Sequence, residues 1–292
     1  MKRIEVVKTY KIYSGGAFPR TESGRYYIAK NPQGEPIANM CRSSRKDVRN
    51  AVVSARKALG KWSGKTAFNR SQVLYRIAEV MEGRKNQFVE ELILQGNSKS
   101  AALKEVEASI DRIVYYAGWC DKFTQIGSSV NPVSSSHFNF STYEPVGLVG
   151  IIAPQETSLI GLISLLMPVI GGGNSCVVLA SEKLPLCAIT FSEVLHASDV
   201  PGGVVNILTG HLSELLTPLT SHMDVNAIAY SGLSELKKEI SLNGVENLKR
   251  VFGYEANWKD VTIQGHHFIT DFQELKTTWH PIENIGGATS SY

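Results

Sequence analysis

Glu144-Pro-Val-Gly-Leu-Val-Gly-Ile-Ile-Ala-Pro154 decides how this chain folds. Gly147 to Ala153 is a short apolar run bounded by Pro145 and Pro154, the pattern of a buried strand. Thr157 to Ile170 then runs without a charge and is long enough for a helix. Gly171-Gly-Gly-Asn174 ends it with residues that accept positive backbone angles at little cost. Ser175 to Leu179 reads as a second buried strand. The alternation continues through helix Pro185 to Ser198, strand Val204 to Leu208, helix Ser213 to Ser221 and strand Val225 to Tyr230. Helix Leu233 to Asn243 and strand Leu248 to Phe252 complete it. Apolar strands alternating with helices predict an α/β fold with a parallel sheet covered on both faces. Ligands of such sheets sit beyond the carboxyl ends of the strands.

Upstream of that core, Tyr10 to Ala17 and Tyr26 to Lys30 read as short strands around a turn, and Asn31-Pro-Gln-Gly34 as a tight turn. Ser44 or Asp47 caps a helix expected to run to Leu59, with Val48, Val52, Ala55 and Leu59 on one face and a break at Trp62 to Gly64. Helices Asn69 to Arg84, Asn86 to Gln95 and Ser100 to Phe123 follow and are expected to pack beside the sheet. His137 to Tyr143 alternates with period two, as one half of an exposed hairpin, and Leu275 to His280 alternates as well. Tyr254 to Thr270 shows little regular pattern. Gly286 to Tyr292 reads as a loose tail.

The chain has 292 residues and a formal charge of +3, small and dispersed, which gives no argument for nucleic acid. Its densest basic cluster, Arg42, Arg45, Lys46 and Arg49, reads as a solvated helix start. Cys41, Cys120, Cys176 and Cys187 have no CxxC spacing, so reduced buried thiols in a cytoplasmic protein fit better than a disulfide framework or a zinc site. Met1 to Glu5 lacks the apolar stretch of a signal peptide. Pro154, Gln155, Glu156 and Pro168 interrupt the most apolar stretch, against a membrane span. His266-His267 has no third ligand at a recognisable spacing, so no metal site is expected.

Asn31-Pro32, Trp62, Arg70, Tyr115-Tyr-Ala-Gly-Trp119, Glu144-Pro-Val-Gly147, Pro154, Gly173-Asn174, Pro201-Gly-Gly-Val-Val-Asn206, Ser221-His222, Asp224-Val225 and Ser231-Gly232 occur in one order and spacing. In this the chain resembles the aldehyde dehydrogenases, most of all the truncated second, non-catalytic unit of the aldehyde dehydrogenase 16 family. The resemblance implies a Rossmann-like sheet with flanking helices, an N-terminal helical segment and a β oligomerisation arm, without the catalytic domain. The domains then expected are a nucleotide-binding-like domain over 1–129 and 147–265, an arm over 130–146 and 268–282, and a tail over 283–292. His137 to Tyr143 falls where the family has an oligomerisation hairpin. Phe272 to Trp279 resembles the family's last strand, which joins the hairpin of a partner subunit.

The departures from the family imply loss of chemistry. After Asn247-Leu-Lys-Arg-Val251, Tyr254 takes the place of the family's general-base Glu. Glu255 is one residue away, which on a strand points it to the opposite face. The nucleophilic Cys would lie in the missing domain, so none of the four cysteines inherits its role and no catalytic residue is expected. Glu156 aligns with the oxyanion-hole Asn, where a carboxylate would repel developing negative charge. On the cofactor side, Leu179 replaces the ribose Lys while Glu182 survives as its companion acid. Leu212 and Leu216 replace glycines of the adenine pocket. Gly232 survives, Leu233 replaces a phosphate-side Ser, and Lys237 replaces a later Gly. The vestigial cofactor-binding set is therefore Glu182, Gly232 and Lys237. Glu182 also reads as a surface acid of the loop Ser181-Glu-Lys183, and Lys237 as a helix-surface lysine beside Lys238.

The expectation is an inactive assembly or regulatory subunit, holding no cofactor. It would form a homodimer, or a hetero-oligomer with a catalytic aldehyde dehydrogenase, by strand addition between hairpin and last strand. The residues expected to carry it are Phe138, Phe140, Tyr143, Leu275, Thr277 and Trp279. Deleting 272–292 should then leave the sheet folded and lower the assembly state. Two alternatives stand beside it. One is an NAD(P)-binding sensor using Glu182, Gly232 and Lys237. The other is part of an NAD-dependent aldehyde oxidoreductase completed by a partner chain.

Overall fold

The structure, a computed structural model, describes residues 6–232 and 234–282. The expected alternation builds a five-stranded sheet whose strands are all parallel. Numbered along the chain, the strands are β1 (Thr9–Tyr10), β2 (Tyr26–Lys30), β3 (Pro36–Cys41), β4 (Ser129–Asn131), β5 (His137–Pro145), β6 (Leu148–Ile152), β7 (Ser175–Leu179), β8 (Val205–Leu208), β9 (Ala227–Ser231), β10 (Arg250–Tyr254) and β11 (Gln273–Pro281). The helices are α1 (Arg45–Ser63), α2 (Ala67–Gly83), α3 (Lys85–Leu94), α4 (Lys99–Trp119), α5 (Phe123–Gly127), α6 (Ile160–Gly171), α7 (Leu186–His196), α8 (Leu212–Thr220), α9 (Lys237–Gly244) and α10 (His267–Thr270).

The central sheet has the order β10-β9-β6-β7-β8. The opening stretch of sequence is its middle strand: Ile151 of β6 lies opposite Val178 of β7 and Ala229 of β9. Both faces of β6 are buried, which explains the continuous apolar run. Val149 and Ile151 face a core shared with α2, α4, α6 and α7. Leu148 and Ile152 face a second core shared with α1, α8 and α9.

Local chemistry sets the helix ends. Ser44 opens α1 in a capping box with Asp47, whose Oδ2 accepts from the Ser44 amide at 2.8 Å. The helix does not stop at Leu59 as the sequence suggested. It runs to Ser63, because Trp62 is buried on its inner face and its Nε1 donates to the Ile170 carbonyl at 2.9 Å. Burial of that indole outweighs the helix-breaking look of the neighbouring Gly64.

The N-terminal segment departs from expectation. Only Thr9–Tyr10 forms a strand; Gly15 and Gly16, both at positive φ, break the run expected to reach Ala17. Tyr13 makes an isolated bridge to Ile207 instead. The sequence reading missed β3, which lies between β1 and β2. Between β10 and β11, where little pattern was expected, there is only the short α10, yet Trp258, Phe268, Ile269 and Phe272 of this connection are buried in the core.

The last layer is a three-stranded sheet of order β11-β5-β4. The hairpin and last strand do meet, but within one chain: β11 pairs antiparallel with β5 over nine residues, from Gln273 opposite Pro145 to Pro281 opposite His137. The expected meeting across a subunit boundary is corrected to that extent. The reason is geometric: the core residues at 268–272 deliver the chain directly beside Pro145, and the Val146 amide donates to the Phe272 carbonyl at 3.1 Å. The tail, 283–292, lies outside the described residues.

Candidate functional site

The carboxyl ends of β6, β7 and β9 converge on the loop 153–159. Gln155 is buried there. Its Nε2 donates to the Ala153 carbonyl at 2.9 Å, and its Oε1 accepts from the Glu182 amide at 2.9 Å. One side chain thus ties the loop after β6 to the loop after β7.

Glu182 carries the tie onward. Its Oε1 lies 2.7 Å from His211 Nδ1, and its Oε2 accepts from the Leu212 amide at 2.9 Å. Leu212 is the first residue of α8, and His211 provides no side-chain cap of its own. The carboxylate therefore satisfies an orphan amide at the positive end of a helix dipole. This is neither the ribose contact nor the solvated loop acid that the sequence offered. An uncapped helix start at His211-Leu212 was the available signal that a distant acceptor was needed. The Tyr27 ring lies 5.1 Å from that of His211. Burial, then the Glu182 charge, raise the Tyr27 hydroxyl pKa above its ordinary value.

The rest of the expected cofactor set lies on the other side of β6. Gly232 follows β9 at φ +64°, and its amide donates to the Tyr254 carbonyl at 3.2 Å. A Cβ there would come within 3.9 Å of Glu156 Oε2, so the carboxylate aligned with the oxyanion donor lies beside this turn. Lys237 is the exposed first residue of α9. No hydrogen bond or ion pair joins Glu182, Gly232 and Lys237 among the described residues. Leu179 and Leu216 are buried in one cluster with Tyr230 and Ile240, and Leu212 and Leu236 pack against it. Leu233 lies outside the described residues.

The feature the sequence did not reveal is Trp258. It is buried, its Nε1 donates to Ser231 Oγ at 2.8 Å, and its ring lies 5.7 Å from that of Phe268. A Cβ on Gly161, in the first turn of α6, would sit 3.2 Å from Trp258 Cδ1, so the indole stands against the turn that follows β6. Buried Arg112 pins the same segment: Nη1 donates to Ser164 Oγ at 2.6 Å and Nη2 to the Asp260 carbonyl at 3.1 Å. Residues 255–272 therefore cover the ends of β6 and β9.

Tyr254 does not act with its neighbour. Its hydroxyl donates to Asp271 Oδ2 at 2.8 Å, whereas Glu255 is exposed. Burial and then the Asp271 carboxylate push the Tyr254 pKa up. All four cysteines are buried. Burial raises Cys120 to about 12 and also lifts Cys176 and Cys187. Thiols held protonated in this way are poor nucleophiles. His266 stacks on Trp119 at 5.2 Å and His267 lies 4.1 Å from the Phe268 ring. Among the described residues no group of three metal-ligating side chains occurs, and no helix is long and apolar enough to cross a membrane.

The six arm residues divide between two faces. Leu275 lies opposite Tyr143, Thr277 opposite Ser141 and Trp279 opposite Asn139, so Tyr143, Leu275, Thr277 and Trp279 share one face. Phe138 and Phe140, with rings 5.6 Å apart, share the other with Val130. Tyr143 is not free for a partner, since it packs on Phe123 and over Gly127. Leu275 and Trp279 are more than half exposed, at 58% and 57%. Thr277 is exposed but bonded through its hydroxyl to Ser141 Oγ at 2.8 Å.

Comparison with known proteins places this geometry. Residues 19–253 match the family described as the aldehyde dehydrogenase family. The putative aldehyde dehydrogenase DhaS of Bacillus subtilis is 32% identical over 257 residues, covering 86% of this chain and 51% of that protein. Cytosolic 10-formyltetrahydrofolate dehydrogenase of Mus musculus is 31% identical, covering 86% of this chain and 29% of that protein. Among solved structures, the NAD+ complex of an aldehyde dehydrogenase from Bacillus cereus superposes with a TM-score of 0.81 at 26% identity, over 84% of this chain and 50% of that one. With the parallel sheet, its flanking helices and four-fifths of the sequence in agreement, this chain belongs to the aldehyde dehydrogenase family, of whose curated relatives it spans about half the length or less.

Proposed function

We propose that this chain is a non-catalytic aldehyde dehydrogenase-like subunit that serves assembly or regulation, pairing with a copy of itself or with a catalytic aldehyde dehydrogenase. The observation that carries the reading is the occupation of the cofactor side of the sheet by the protein's own groups. The Glu182 carboxylate is committed to His211 and the start of α8. Leu179 and Leu216 are sealed into the core where, by alignment, a ribose-binding lysine and an adenine-pocket glycine stand. These residues do not fit a dinucleotide: close approach of backbone to ligand is lost and the polar partners are spent. No step of hydride transfer is routed through them. Trp258 and the segment 255–272 occupy the ends of β6 and β9, and the buried, protonated thiols offer no nucleophile.

What remains available is the arm. β11 is an edge strand nine residues long, with Leu275 and Trp279 exposed along it. Long apolar edges are templates for strand addition. Since β11 already pairs with β5 in its own chain, a partner would add to its outer edge.

The test is the mass of the purified chain in solution, with an NAD titration by calorimetry. A dimer with no saturable NAD heat is expected, or a monomer that forms a stable complex with a catalytic aldehyde dehydrogenase. Saturable binding at micromolar NAD would overturn the closed cleft and move the nucleotide sensor ahead. A monomer that associates with neither would remove the assembly role.

A further inference from the structure

We propose that the groove between the first turns of α1 and the end of α8 binds a small, multiply charged oxyanion, such as the phosphoryl group of a metabolite. The groove is a cleft of about 460 Å³ lined by Arg45 and Arg49 from α1 and by Pro218, Ser221, His222 and Met223 from the end of α8 and beyond. That volume is in the range of small-molecule sites.

Charge is what marks it. Arg45 and Arg49 are one turn apart on α1 and both line the cleft. Among the described residues neither meets a carboxylate within ion-pair distance. Their basic neighbours do: Arg42 pairs with Glu214, Lys46 with Glu22 and Arg56 with Asp224. Two like charges four residues apart repel each other. Arg45 is also the first residue of α1, where the helix dipole disfavours a cation. Both placements cost stability in the protein alone, and an anion between the guanidiniums turns both favourable.

His222 supplies the third donor. Its Nδ1 accepts from the Asp224 amide at 3.2 Å, which assigns the proton of the neutral ring to Nε2. Burial holds the imidazole below its ordinary pKa, and Lys249, Arg49 and Arg56 add to this against the opposing charge of Asp224. The cleft is thus a region of positive potential. The hydroxyls contribute no donor: Ser221 Oγ donates to the Thr217 carbonyl at 2.7 Å, and Thr217 Oγ1 to Glu239 at 2.9 Å. Recognition falls to two guanidinium forks, which match the geometry of phosphate oxygens, and one imidazole N–H. Pro218 and Met223 leave an apolar wall for the body of the ligand. This site is separate from the sheet's carboxyl edge and independent of the assembly reading.

The experiment titrates the full chain with inorganic pyrophosphate at constant ionic strength. It follows heat by calorimetry and the His222 imidazole by NMR. Saturable one-to-one binding is expected, with a shift of the His222 resonance that follows the same isotherm. Arg45→Gln and Arg49→Gln should each weaken binding about tenfold, as loss of one charge-assisted contact implies. Both residues are exposed, so folding is checked by an unchanged circular dichroism spectrum. Lys46→Gln removes the same charge from the other side of α1 and should leave the affinity unaltered. No saturable heat, a His222 resonance that does not move, or equal weakening by Lys46→Gln would overturn the site and leave only non-specific attraction.

Discussion

Glu182 shows how one residue can keep its identity and change its task. Its two oxygens are held by His211 and the Leu212 amide, so its removal acts on α8 first. Glu182→Ala should cost about 1 kcal/mol, the scale of a lost helix cap, read as a lower urea midpoint. Glu182→Gln, which keeps an acceptor for Leu212, should recover part of it. An unchanged midpoint with weakened NAD binding would instead restore the ribose role. Glu91 is the other carboxylate with a cost attached. It is buried, its Oε1 accepts from Tyr10 at 2.7 Å and Thr190 at 2.6 Å, and its Oε2 has no partner. Burial raises its pKa, against the pull of those two hydroxyls and of Lys8 at 3.9 Å. The folded chain thus keeps this proton to a higher pH than the unfolded chain. Between those two values the native state binds more protons, so stability falls as pH rises from the ordinary carboxylate range. Glu91→Gln should flatten that decline in urea melts taken across the same window. A decline of equal steepness in the variant would assign it to another group.

At the scale of elements, the strands of the central sheet were legible because each is a short apolar run bounded by glycine, proline or polar residues. The apolarity of Leu148 to Ile152 on both faces told of helices on either side, and two cores are what the structure contains. What stayed hidden depends on partners distant in sequence. The strand Pro36–Cys41 opens with a proline and carries Asn39, and it is defined by pairing with β1 and β2 rather than by its own pattern. Trp258 sits in a stretch with no periodicity, and its burial comes from Ser231, Phe268 and the Gly161 turn. The strand expected from Leu248 begins two residues later, at Arg250, because Leu248 takes a left-handed conformation, φ 51° and ψ 39°, to end the turn Val245–Asn247. A leucine in that region is strained, and this one is 88% exposed, so it gains little from burial. Leu248→Gly should therefore stabilise the chain by about 1 kcal/mol despite the added freedom of the unfolded state. Thermal unfolding checks the sign, and a lowered midpoint would mean that the leucine is covered in the assembled protein.

For the molecule as a whole, the arm is the place where sequence pattern and structure part most instructively. Period-two alternation located both strands, but alternation alone does not say whether they meet within one chain or between two. The structure pairs them in cis and divides the six residues between two faces. It also changes the deletion that tests assembly. Phe272 is 1% exposed against Phe252, and Gln273 is buried with its Nε2 donating to the Gly172 carbonyl at 3.2 Å. Removing 272–292 would therefore open the core, contrary to the expectation that the sheet survives it. Phe272 loss alone is on the scale of 3–5 kcal/mol, roughly that of a large aromatic cut from a core. The cleaner perturbation leaves the backbone in place and changes the outer strand. Leu275→Lys with Trp279→Lys puts two charges on the exposed edge while the ladder to β5, the Thr277 bond to Ser141 and the ion pair of Lys276 with Glu144 remain. Isolated exposed positions of this kind change folding stability by less than about 0.5 kcal/mol, so the urea midpoint should hold. The mass in solution should fall to that of one chain, and any complex with a catalytic aldehyde dehydrogenase should dissociate at lower dilution. If the midpoint holds and the mass does not change, the edge of β11 is not the interface, and the opposite face of the arm, with Val130, Phe138 and Phe140, becomes the surface to charge next.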